Sequence, residues 1–84
     1  MAAVERICEY EHFSDVEYTS EQLLFYPENN LFRIIGYNWI DINKNIPVRD
    51  EYAATVDKDF VEVWLKDKPM QKKKFENFLK RRFL

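Results

Sequence analysis

A single glycine in 84 residues leaves this chain no glycine-rich loop with which to cradle a phosphate. A single cysteine, Cys8, excludes an internal disulfide, so the core must hold without staples; that points to a reducing, intracellular setting, cytoplasmic or nuclear rather than secreted. A single histidine, His12, stands beside Glu9, Tyr10 and Glu11, and one imidazole with scattered carboxylates fits no zinc spacing; no metal and no cofactor is expected. Uncharged runs never approach the roughly 18–20 residues of a membrane span. The opening Met1-Ala2-Ala3-Val4-Glu5-Arg6 brings charge too early for a signal peptide. No N-x-S/T sequon is present.

What is abundant is aromatic. Seven Phe, five Tyr and two Trp stand in a chain that otherwise has little surface to bury. Each buried ring removes roughly 150–250 Å² from water, so a few can carry a small core. With three Pro and a net charge of −2, the chain is expected to fold, as one domain over residues 1–84.

That small net charge hides a division. Residues 1–43 hold eight acids and two bases; residues 44–84 hold eleven bases and seven acids, and 66–82 alone hold eight bases and two acids. Such a dipolar chain can steer onto a complementary surface or associate with a second copy of itself.

Glu5–Phe13 alternates loosely and reads as strand or helix. Ser14-Asp15-Val16-Glu17 matches a capping box, as does Thr19-Ser20-Glu21-Gln22, so a short helix can start here. Residues 22–42 read as a hairpin: two apolar runs rich in β-formers flank Pro27-Glu28-Asn29-Asn30, where Pro pre-sets φ and Asn tolerates the left-handed region. Gly36 within the second run marks a bulge or a close approach, and a bulge would project Tyr37 and Trp39 outward. Over 48–66 one helical face can be drawn through Val48, Tyr52, Val56, Phe60, Val63 and Trp64. A hairpin can be drawn as well, and the strand reading is preferred for 60–66, because the helix would leave Val61 and Leu65 on the wet side.

The spacing predicts an amphipathic helix over 69–83. Asp67 is a candidate cap and Pro69 is tolerated in a first turn. Phe75, Phe78, Leu79 and Phe83 form an apolar stripe about 140° wide, with Lys73, Lys74, Asn77, Lys80 and Arg81 opposite. The fold expected is α+β: a small antiparallel sheet closed by this helix, with an all-α fold as the alternative.

Lys80, Arg81 and Arg82 suit a helix C-terminus, whereas Lys72, Lys73 and Lys74 oppose the macrodipole at its start. A local conflict without structural gain is where function tends to sit. The expected function is therefore a protein-binding module (adaptor, regulator or inhibitor) rather than an enzyme. Lys72, Lys73, Lys74, Lys80 and Arg81 are its candidate contacts to an acidic protein surface, and Tyr37 and Trp39 a second patch. Nucleic acid is the alternative partner of the same helix, against which stand a pI near 5.4 and aromatics that do not interleave with the bases. A membrane surface is not expected, since it would take the Phe stripe out of the core. Cys8, with Glu9 and Glu11 beside it, is expected to be a plain buried thiol.

Overall fold

The computed structural model describes residues 3–40 and 48–83. Four strands, β1 (Glu5–Phe13), β2 (Glu17–Tyr26), β3 (Leu31–Ile40) and β4 (Val48–Val56), precede two helices, α1 (Lys58–Trp64) and α2 (Pro69–Phe83). The strands form one antiparallel meander in the order β1-β2-β3-β4, so the expected α+β architecture is what the chain adopts. Residues 41 and 42, at the end of the expected hairpin, lie outside the described residues.

The β2–β3 turn falls on Pro27–Asn30, and Asn30 takes the left-handed backbone with φ of 53°. The β1–β2 turn uses Ser14 and Glu17, but not to start a helix. The Glu17 amide donates to the Ser14 hydroxyl at 3.1 Å, and the Ser14 amide donates to the Glu17 carbonyl oxygen at 2.8 Å. The S-x-x-E pattern that reads as a capping box thus closes a hairpin here, and Thr19–Gln22 lies inside β2.

Both helices cover one face of the sheet. Alternation directs Leu23 and Phe25 of β2, with their partners Ile34 and Phe32 of β3, toward them. A register shift between Arg6 and Cys8 lets both Ile7 and Cys8 of β1 be buried. Val61, Leu65, Phe75 and Phe78 come down from the helices to complete the core. Its centre is a run of rings: Phe78 lies 5.2 Å from Phe25, and Phe75 lies 5.7 Å from Phe32.

One expectation needs correction. Residues 60–66 are not a strand: Lys58–Trp64 is a helix whose N-terminus is capped by Asp57, its carboxylate accepting from the Phe60 amide at 2.8 Å. Val61 and Leu65, a helical turn apart, are the residues that face the core, while Phe60 and Val63 are exposed. Drawing one continuous helix from Val48 set the wrong phase, because β4 ends and a new element begins at Asp57. Phe83 ends the predicted stripe as a partly covered residue, 53% exposed. Its ring still meets Phe25 edge-on at 6.2 Å and Phe78 at 6.1 Å, and the exposed Arg82 lays its guanidinium 4.9 Å from the centre of the same Phe25 ring.

Candidate interaction surfaces

The strands outreach the helices. Ten residues of β2 span about 33 Å, while the 15 residues of α2 span about 22 Å. The molecule is accordingly a slab of 49 × 29 × 18 Å with two faces of different chemistry.

On the helix side α2 carries the basic ridge. Lys72, Lys73, Lys74, Lys80 and Arg81 are all exposed. Their roles differ with their angle around the helix. Arg81 points toward β1 and pairs with Glu5. Lys74 lies on the same flank, close enough for its charge to act on Cys8. Lys72 lies on the flank toward α1, lining a shallow cleft of about 260 Å³ with Glu62 and Glu76. Lys73 and Lys80, one helical face apart from Phe75, project outward. The first turn holds no acid, and Lys80, Arg81 and Arg82 stand in the last turn.

Lys68 belongs to the interior, not to the ridge. It is 9% exposed, and its ammonium donates to the Trp64 carbonyl oxygen at 2.8 Å and to the Asp67 carboxylate at 3.0 Å. The rings of Tyr10 and Trp64 flank it at 4.5 and 4.8 Å. Asp67, expected as a helix cap, is instead engaged by this ammonium, which holds its carboxyl below the ordinary value. The Trp64 indole N–H reaches Glu21 at 3.3 Å, and the Tyr52 hydroxyl donates to the same carboxylate at 2.7 Å.

Tyr37 and Trp39 lie on the opposite face of the sheet, since their β3 neighbours of even number face the helices. They are half-buried among aromatic neighbours and not thrown outward by a bulge. The β2–β3 register is unbroken through Gly36, which marks a close approach. Tyr18 meets Tyr37 edge-on at 6.0 Å and Phe13 at 5.9 Å, and Trp39 pairs with Tyr18 across the ladder. A depression of about 280 Å³ beside Tyr37 is lined by Ser20, Gln22, Ile35 and Glu51. The two patches singled out in the sequence are therefore on different faces: the five basic residues share one helix, and Tyr37 and Trp39 stand behind the sheet from them.

Cys8 is a free, buried thiol whose pKa is pushed up to about 11. Burial is the cause; Lys74 and Lys68 act against it, and the neighbouring Glu9 and Glu11 are not what raises it. His12 is exposed, and among the described residues no three His, Cys, Asp or Glu side chains are grouped to hold a metal ion. No helix among them is long and apolar enough to cross a membrane. The exposed pair Phe60 and Val63 was missed in the sequence, because a strand reading of 60–66 gave it no surface.

No family model matches the chain, and no curated protein or solved structure resembles it significantly.

Proposed function

We propose that the chain is a small intracellular protein-binding module, an adaptor, regulator or inhibitor, that occupies the surface of its partner through the α2 ridge. The observation that carries this reading is the state of the lysines. Lys72, Lys73, Lys74 and Lys80 are exposed with no carboxylate of a described residue in ion-pair range, whereas Lys68 and Arg81 are engaged within the fold. Cations left in water without a partner in the fold add little to it and are available to an acidic surface. The role is binding rather than catalysis, in keeping with a thiol held neutral near pH 7.

A protein partner is favoured over nucleic acid because of where the rings are. Phe75 and Phe78 are in the core, and Tyr18, Tyr37 and Trp39 are on the far face of the sheet, so among the described residues of α2 only the half-exposed Phe83 could meet a base, and one ring is not a stacking platform.

Charge reversal tests the reading. Lys73→Glu, Lys74→Glu and Lys80→Glu together should abolish capture of the partner from native cell extract while leaving the circular-dichroism melt nearly unchanged. Arg81 is left intact because it holds Glu5. Capture that survives the reversal removes the ridge from consideration. A gel shift with duplex DNA or RNA at low salt, lost steeply as salt rises, would move the assignment to nucleic acid.

A further inference from the structure

The sheet ends in two edges, and they are guarded differently. β1 carries the register shift at Arg6–Cys8 and the Arg6–Glu9 ion pair, and the Gln71 side-chain amide donates to its Glu9 carbonyl oxygen at 2.8 Å. Bulge, charge and cover are the devices that keep a foreign strand from adding to an edge. β4 has neither bulge nor cover among the described residues, and its charges, Arg49, Asp50 and Glu51, all fall in its first half. Its ladder with β3 runs in unbroken register from Val48 to Val56, and the strand holds no proline and no lysine. Beside it lies an exposed apolar patch. Phe60 and Val63 of α1 are 53% and 70% exposed, and with Ala54, Val56, Asp57 and Asp59 they line an open groove of about 540 Å³.

We propose that β4 is the interface between two copies of this chain: it pairs antiparallel with its own copy about a two-fold axis normal to the sheet. The product is one eight-stranded sheet with all four helices on the same side. Symmetry limits the register, because the axis of such a ladder must pass between a residue and its own copy. Centring on Asp50 or Glu51 would set like carboxylates face to face. Centring on Ala53 sets Glu51 opposite Thr55 and Asp50 opposite Val56, so the charged half of each strand meets the uncharged half of its mate. The same axis brings the two α1 helices together, and Phe60 and Val63 of one copy close over those of the other. An edge that meets itself without like charges in apposition, and is flanked on one side by a patch that needs covering, identifies a second copy as the occupant. The α2 ridge takes no part in this contact, so the dimer and the ridge stand or fall separately.

Sedimentation equilibrium of the full chain tests it. The expected result is a 10.3 kDa species on dilution that gives way to one of twice that mass as concentration rises into the high-micromolar range. Ala54→Lys and Val63→Lys, both at exposed positions, should each weaken association about tenfold or more, with an unchanged melt at low concentration. Ala53→Cys places thiols on facing residues whose Cα atoms are about 4.5–5.5 Å apart, within reach of a disulfide, so mild oxidation should yield a covalent dimer. A wild-type chain that stays monomeric throughout overturns the proposal. So does a dimer that ignores both lysines and, in the Ala53→Cys variant, gives no covalent link.

Discussion

Gly36 faces Tyr52 across the β3–β4 ladder, and a methyl group in its place would meet the Ser20 carbonyl oxygen at 2.5 Å and the Tyr52 hydroxyl at 2.9 Å. The one glycine is thus the floor over which Tyr52 reaches Glu21, an aromatic ring covering a strand glycine. Gly36→Ala should cost about 1–3 kcal/mol, read as a lowered melting temperature. Burial and the hydrogen bond to Glu21 both raise the Tyr52 pKa, so in a spectrophotometric titration it should be the last tyrosine to ionise, and Tyr52→Phe should remove that late step. Cys8 makes a second prediction of the same kind. Its pKa rises from 9.0 to about 11 on folding, so the folded chain keeps its proton where the unfolded chain loses it. The contribution of Cys8 is full below pH 9.0 and is lost as pH rises through about 11. Cys8→Ala should flatten the decline of stability over that window, and the native thiol should react with a disulfide reagent near pH 8 far more slowly than the unfolded one.

Elements show where local signals sufficed and where they did not. The β2–β3 hairpin was legible because its turn chemistry and its flanking β-formers agree, and α2 because its pattern repeats over several turns. α1 was not legible. With 7 residues it has too few turns for a period to show, and its two β-branched valines favour strand. What makes it a helix is the Asp57 cap and the fit of Val61 and Leu65 into the core. Asp57→Ala should therefore cost about 1 kcal/mol, whereas Phe78→Ala, which opens the ring cluster at its centre, should cost about 3–5 kcal/mol by denaturant titration. The S-x-x-E misreading has the same root: Ser and Glu three apart satisfy amides at a hairpin as well as at a helix start.

At the scale of the molecule, the charge division of the sequence becomes a division of surfaces. The basic ridge belongs to the helix layer, the Tyr18–Tyr37–Trp39 cluster to the back of the sheet, and the bare β4 edge to the side between them. That Lys73 and Lys80 would stand exposed was readable from helical spacing. That Tyr37 and Trp39 would lie behind them was not, because it depends on how the strands and helices stack and on Gly36 keeping the ladder in register. The same dependence hid the β4 edge, whose exposure follows only from strand order.

The account turns on the claim that the lysines entering α2 serve a partner and not the fold. Thermal melting of the chain with Lys72, Lys73 and Lys74 all replaced by Gln measures this directly. Exposed lysines that repel one another and make no ion pair with a described residue add nothing to the fold, so the account predicts a melting temperature unchanged or slightly raised. A melting temperature lowered by several degrees would make these lysines part of what holds the fold together and would contradict it.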